Sequence, residues 1–98
     1  MTSKQRAYLK SLAMVMDPIA QIGKNSLTDE GLQGLEEALE ARELIKINVL
    51  KNCEDDVRMI AEAIADHLDG EVVQTIGRKI VIYRQARQQD KRKIVLPR

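Results

Sequence analysis

The spacing of apolar residues in this chain alternates between the period of a helix and that of a strand. Apolar residues recur three and four positions apart in residues 3–13, 28–42 and 57–68. Between and after these segments lie shorter β-branched runs at 19–22, 44–50, 72–76 and 79–84. Because the two periods belong to different backbone geometries, the pattern predicts the element order αβαβαββ. The prediction is an α/β fold of the α+β two-layer type, in which helices cover one sheet.

Helix ends are marked by residues that satisfy free backbone groups. Thr2 and Gln5 have the spacing of a capping box, which places the start of the first helix at residue 3. Thr28 is the expected N-cap of the second helix. The third helix is predicted to begin with an acidic first turn at residues 54–56 and to end at a glycine cap, Gly70.

Strand ends are marked by proline and glycine. Asp17 precedes Pro18 and is therefore pushed out of the helical region, so the first helix must end before the strand at 19–22. Gly77-Arg78 separates the last two strands, and glycine in the first position of a two-residue loop predicts a type II′ hairpin. Residues beyond Gln85 are polar and basic, and the expectation is a frayed tail or a short helical extension.

Size and composition indicate one intracellular domain. A length of 98 residues is that of one compact domain, with a core at about 2–84 and a basic tail at 85–98. The chain has no Trp or Phe and only Tyr8 and Tyr83, so stacking of bases on aromatic side chains is not expected to dominate binding. The single Cys53 and the lack of a signal peptide or an 18-residue apolar run predict a reduced, cytoplasmic protein with no membrane contact.

Charge is strongly segregated along the chain although its net value is only +1. Residues 1–27 carry a net +3, residues 28–71 carry −9, and residues 72–98 carry +7. If the two basic ends meet in the fold, the protein has one basic face and one acidic face. Such a distribution favours a polyanionic partner on one side.

Residues 23–26 combine features that suit a phosphate group. Gly23, Lys24, Asn25 and Ser26 lie between a predicted strand and the start of a helix, and provide a flexible backbone, a positive charge and free N–H groups. A solvated turn explains the tetrapeptide equally well when it is taken alone. The spacing is not that of a P-loop.

No set of residues predicts catalysis or a cofactor site. His67 is the only histidine, and Cys53 is followed by acidic residues, which disfavour the thiolate that a cysteine nucleophile requires. The acidic cluster 54–56 could attract a metal, but it is explained more simply by the helix dipole. The chain is therefore expected to be a binding protein without a cofactor or a small-molecule substrate.

Five separate motifs resemble the CRM domain, the chloroplast RNA splicing and ribosome maturation family, and within it the bacterial stand-alone YhbY-like members. The resemblance covers residues 2–84. The matching pieces are Lys4-Gln5-Arg6-Ala7-Tyr8-Leu9, the Ile22-Gly23-Lys24 step, Glu43-Leu44-Ile45-Lys46-Ile47, the Glu54-Asp55 helix start, and Val73-Gln74-Thr75-Ile76-Gly77-Arg78 with Tyr83-Arg84.

The resemblance implies an RNA-binding domain with a mixed four-stranded sheet, similar to the C-terminal domain of bacterial translation initiation factor three. It implies ribosomal RNA of the precursor large subunit as the partner, with ribosomal proteins as a second class. The family's G-x-x-G loop, comparable to the backbone-clamping loop of KH domains, maps onto residues 23–26. Ser26 replaces the second glycine, and Asn25 is the residue expected to tolerate left-handed geometry.

The predicted RNA-binding surface consists of the loop, the first helix, the hairpin formed by the last two strands and the tail. Lys24 is expected to contact phosphate, with Arg6, Lys10, Arg78 and Arg84 as further electrostatic contacts. Two alternatives remain. One is an adapter that docks a basic partner through four helix-2 carboxylates, those of Glu36, Glu37, Glu40 and Glu43. The other is an enzyme acting on RNA.

Overall fold

The computed structural model describes residues 1–98, with three helices and four strands in the predicted order. In chain order these are α1 (Ser3–Met14), β1 (Ala20–Ile22), α2 (Asp29–Arg42), β2 (Leu44–Val49), α3 (Val57–Leu68), β3 (Glu71–Ile76) and β4 (Lys79–Tyr83). The α+β class and the mixed four-stranded sheet are confirmed, and every boundary except the start of α3 lies within one residue of its prediction. None of the helices has the length and apolarity needed to cross a membrane.

The sheet has the strand order β1-β2-β4-β3. β1 runs parallel to β2, whereas β4 is antiparallel to both β2 and β3. β1 and β2 therefore end on the side of the sheet where the β3–β4 hairpin turns. We call this end of the strands, marked by Ile22, Val49 and Gly77, the loop end. The opposite end of the strands, marked by Leu44, Glu71 and Tyr83, is the tail end.

The sheet buries apolar side chains on both faces. Ile45, Ile47 and Ile82 point to one face and pack with α2 and α3. Leu44 and Val81 point to the other and pack with α1. Alternate side chains of a strand point in opposite directions, so the β2–β4 pair contributes apolar side chains to two cores. The expected two layers are thus extended by α1 and the tail, which form a partial third layer.

Two of the three predicted caps are confirmed. Thr2 Oγ1 accepts the Gln5 backbone N–H at 3.1 Å while Gln5 Oε1 accepts that of Thr2, which is a complete capping box. Thr28 Oγ1 accepts the Gly31 N–H at 3.0 Å. At α3 the prediction was imprecise: Asp56 is itself the N-cap, accepting the N–H groups of Arg58 and Met59, so residues 54 and 55 lie before the helix.

The glycine cap predicted for α3 is wrong in its detail. Asp69, not Gly70, adopts the left-handed conformation, with φ at 56°. Gly70 is needed because the backbone passes close to β4: a Cβ at this position would lie 3.1 Å from Ile82 Cγ2 and 3.3 Å from the Tyr83 carbonyl oxygen. Gly77 does match its prediction, with φ at 57° in the first position of the hairpin turn.

The tail packs against the domain, whereas the expectation was a frayed tail or a short helical extension. It contains one 3-10 turn, Gln89–Lys91, and is otherwise extended. Glu43 is completely buried, and its carboxylate accepts backbone N–H groups of Ala86 at 2.7 Å, Lys93 at 2.6 Å and Ile94 at 2.8 Å. The sequence pattern missed this because the bonds join residues more than 40 positions apart.

Candidate nucleic-acid interface

Residues 23–26 form a tight turn directly after β1. The Ser26 N–H donates to the Gly23 carbonyl oxygen at 2.9 Å, which closes the turn. Lys24 and Asn25 at its tip are exposed. Ser26 has a φ of 54° and so occupies the left-handed region, whereas Asn25, the residue expected to tolerate that geometry, does not adopt it. The position where the family has its second glycine is therefore the one where the backbone favours glycine.

Two other loops meet this turn at the loop end of the sheet. The Leu50 N–H donates to the Ile22 carbonyl at 2.8 Å, which ties the β2–α3 loop to the strand that leads into the turn. The Val49 N–H donates to the Arg78 carbonyl at 2.7 Å and ties in the hairpin tip. The 23–26 loop and the β3–β4 hairpin, both assigned to the RNA-binding surface from the sequence, therefore lie at the same end of the sheet, on either side of the end of β2.

The Arg78 side chain holds these loops together. Its Nε donates to the Val49 carbonyl at 2.8 Å, and one terminal nitrogen donates to those of Leu50 at 2.6 Å and Cys53 at 3.3 Å. The side chain is half-buried. Since most of its donors are used on backbone carbonyls, Arg78 positions the interface and adds a positive charge to it, but presents few free donors to a phosphate.

Lysines provide the free positive charge at this end. Lys24 and Lys51 are exposed, and neither has an acidic partner. Lys79 is half-buried and reaches Asn48 Oδ1 at 3.3 Å. Lys51 is not recognisable as a candidate from the sequence, because it lies in the acidic middle of the chain. The parallel pairing of β1 with β2 brings it to the same end as Lys24.

The first-helix residues predicted as contacts have different roles. Arg6 is half-buried and donates from Nη1 to the carbonyls of Val72 and Val73, the latter at 3.0 Å, so it fastens α1 to β3. Lys10, one turn further on, is exposed and has no acidic partner. Neither residue has an acidic partner, but only Lys10 is exposed and has no donor used within the protein.

The prediction that Arg84 contacts RNA is not supported, because its side chain is only 6% exposed. The guanidinium forms ion pairs with Glu36 and Glu40, and Nη1 also donates to the Leu68 carbonyl at 3.0 Å. Buried charges are found paired because desolvation of a lone charge is costly. Arg84 therefore joins β4 to α2 and α3 inside the domain.

The acidic face predicted for a protein-binding adapter is largely occupied by the chain itself. Glu36 pairs with Arg84 and Arg87, Glu40 accepts the backbone N–H groups at Arg87 and Gln88, and Glu43 is buried. Only Glu37, which lies 3.5 Å from Gln33 Nε2, remains free among the four carboxylates. The surface proposed for a basic partner therefore serves to hold the tail.

The carboxylates that hold the tail have lowered pKa values. Burial works to raise the pKa of Glu43, but hydrogen bonds from the backbone N–H groups of Lys93, Ala86 and Ile94 outweigh it and lower the pKa below 4.5. The Gln88 and Arg87 backbone N–H groups lower the pKa of Glu40 in the same way. Both groups are therefore charged at neutral pH, and the tail is held by ionised acceptors.

Known proteins resemble the chain over its whole length. It is 43% identical to the probable RNA-binding protein YqeI of Bacillus subtilis, with 99% of each chain covered. It is 37% identical to an RNA-binding protein of Haemophilus influenzae, covering 100% of this chain and 96% of that one. The solution structure of the hypothetical protein SAV1595 from Staphylococcus aureus, described as a candidate RNA-binding protein, matches with a TM-score of 0.79 and 42% identity over 99% of both chains.

The family resemblance noted in the sequence is confirmed by a match over most of the chain. The CRS1 / YhbY (CRM) domain family matches residues 1–84. This range includes α1, the 23–26 turn, the whole sheet and Arg84, and it leaves out the tail that Glu43 holds. The protein therefore belongs to the CRS1/YhbY (CRM) domain family.

Proposed function

We propose that the protein binds RNA through the loop end of its sheet, and that its target is ribosomal RNA in precursor large-subunit particles, whose assembly it assists. The observation that carries the proposal is the presence of Lys24 and Lys51, both exposed and unpaired, on adjoining loops at this end of the sheet, with the 23–26 turn leading into α2. Such an arrangement binds phosphates through charge and backbone N–H groups. The names of the relatives support RNA as the ligand.

The proposal also specifies which RNA is bound, namely ribosomal RNA. It is supported by the association of stand-alone bacterial CRM proteins with the precursor of the large subunit, which the family resemblance implies. The interface also suits a structured RNA, since it presents several cations to the backbone and no exposed aromatic platform for base stacking. Ribosomal proteins are a second class of partner within such particles.

The test compares two variants with the same loss of charge. The loop-end variant carries Lys24→Gln and Lys51→Gln, whereas the tail-end variant carries Lys4→Gln and Lys93→Gln. All four lysines are exposed and lack an acidic partner, so neither variant should unfold the protein. Tagged proteins are followed in low-salt sucrose gradients of cell extracts, before and after nuclease treatment.

The expected result is that the wild-type protein and the tail-end variant sediment with precursor large subunits, and that nuclease or high salt releases them. The loop-end variant should sediment mainly as free protein, because phosphate contacts supply most of the affinity. If the wild-type protein never enters these particles, the ribosomal proposal is wrong. If the loop-end variant sediments like the wild type, the assignment of the surface is wrong.

A further inference from the structure

A groove of about 420 Å³ opens beside the 23–26 turn, between this turn and the beginning of α3. Its walls are mainly apolar, and Met59 at its side is 69% exposed. The lining residues are Ser26, Leu27, Asp55, Asp56, Met59, Ile60 and Ala63. Because Ser26 belongs both to the turn and to the groove, a nucleotide chain held at the turn would pass the opening of the groove.

The charges around the groove exclude a phosphate from it. Asp55 and Asp56 line one side, whereas the cations Lys24 and Lys51 stand on the adjoining loops. A phosphate would be attracted to the lysines and repelled by the two carboxylates. The part of an RNA that can enter the groove is therefore an uncharged one, and the mainly apolar wall favours a base over the hydroxyl-bearing ribose.

The apolar wall can contact the face of a base although the chain has few aromatic residues. Tyr83 is buried, and Tyr8 lies on α1, which packs against the opposite face of the sheet from α3. Met59 has a flexible, polarisable thioether, which makes favourable contacts with aromatic rings. It is therefore the side chain best placed to lie against a ring at this end of the molecule.

The carboxylates select among the four bases by their hydrogen-bonding edges. Asp56 Oδ1 is used by the N–H groups of Arg58 and Met59, whereas Asp55 is exposed and makes no hydrogen bond. A carboxylate has two acceptor oxygens and no donor. Guanine presents two parallel donors, N1–H and the 2-amino group, whereas the other bases place an acceptor beside their single donor.

We infer that the groove binds an unpaired guanine of the RNA. Met59 lies against the face of the ring, and Asp55 accepts the N1–H and 2-amino hydrogens. The inference rests on the proposed RNA-binding function and adds a base preference to it. The turn with its lysines holds the phosphate backbone, and the groove reads one base beside it, so affinity and selectivity reside in adjacent structures.

The test uses labelled RNA octamers of adenosine that carry guanosine, inosine or uridine at one central position. Inosine lacks only the 2-amino group. Affinities are measured by fluorescence anisotropy for the wild type, Asp55→Asn, Met59→Ala and Lys24→Gln. Met14→Ala is the matched control for Met59→Ala, since Met14 is 79% exposed and lies on α1. Circular dichroism confirms that each variant is folded.

The wild-type protein should bind the guanosine octamer at least about fivefold more tightly than the other two. Asp55→Asn should abolish this preference, Met59→Ala should weaken guanosine binding while Met14→Ala does not, and Lys24→Gln should weaken all three octamers alike. Equal, salt-dependent binding of the three octamers, or a preference that survives Asp55→Asn, overturns the groove assignment but leaves the proposed function intact. No binding of any RNA overturns both.

Discussion

Glu43 shows how one side chain can organise several parts of this molecule. It lies between α2 and β2, adopts a left-handed backbone with φ at 66°, and is completely buried. A buried carboxylate is stable only when its oxygens are satisfied by donors. Here the donors are backbone N–H groups of the tail. The tail therefore stabilises the buried charge of Glu43, and this charge in turn holds the tail in position.

We expect Glu43→Gln to lower the free energy of unfolding at pH 7 by about 1–3 kcal/mol, because an amide offers one acceptor oxygen in place of two and brings a donor toward the tail N–H groups. Guanidinium chloride unfolding measures the change. Glu37→Gln, at an exposed position of α2, is the control and should be neutral. Equal stability of the two variants would show that the buried bonds contribute little.

The pH dependence of stability follows from the same residue. The folded-state pKa of Glu43 lies below 4.5, because the backbone N–H bonds outweigh the effect of burial. Its stabilising contribution is therefore fully present above pH 4.5 and is lost as the pH falls through the folded-state value. Thermal unfolding between pH 7 and pH 3 should show a smaller loss of stability in Glu43→Gln than in the wild type. A parallel decline in both proteins would assign the acid sensitivity to other groups.

Among the elements, the tail is the one whose role changed most between sequence and structure. Ile94 and Leu96 pack against the core formed by α1 and the second face of the sheet, whereas Val95 between them is 84% exposed. This alternation is that of an extended segment with one buried side. The tail therefore covers part of the sheet that α1 leaves open, in addition to satisfying Glu43.

The double variant Ile94→Ala, Leu96→Ala should be less stable than the wild type by about 2 kcal/mol. Each of the two side chains is partly buried, and its truncation removes about 1 kcal/mol of apolar contact. Val95→Ala should change stability by less than about 0.5 kcal/mol. Differential scanning calorimetry of the three proteins measures the difference. If Val95→Ala is as harmful as the double variant, the tail does not lie on the sheet as described.

For the whole molecule, the position of charges matters more than their sum. With a net charge of +1, the protein as a whole exerts little attraction on a polyanion, so RNA binding must depend on a local group of cations. The loop end supplies such a group in Lys24 and Lys51. Several of the other basic residues, among them Arg6, Arg78 and Arg84, are bonded within the protein.

The salt dependence of RNA affinity should therefore arise mainly from phosphate contacts at the loop end. We expect the loop-end variant to reduce the slope of log affinity against log salt concentration by about 2, one for each lost phosphate contact. The tail-end variant should leave the slope nearly unchanged. Titrations of one structured ribosomal RNA fragment at several salt concentrations measure both. Equal reductions in the two variants would mean that RNA contacts both ends of the sheet.

Much of the fold could be predicted because its determinants are local. The capping box at Thr2, the N-cap at Thr28 and the hairpin at Gly77 each involve residues within a few positions of one another. The periods of the apolar residues likewise reveal which side of each element is buried. The family motifs extended this reading to the mixed sheet and to the 23–26 turn as the candidate site.

The amino-acid sequence by itself thus determined the elements, their order and the turn at residues 23–26, whereas the tertiary structure decided which charges are free. The sequence suggests that Arg84 is a basic residue available to RNA, yet it pairs with Glu36, 48 positions away, and is buried. Lys51 lies in an acidic segment of the sequence, yet the pairing of β1 with β2 places it beside the 23–26 turn. Local patterns cannot show this, because the partner of a charge depends on contacts between distant segments that exist only once the chain has folded.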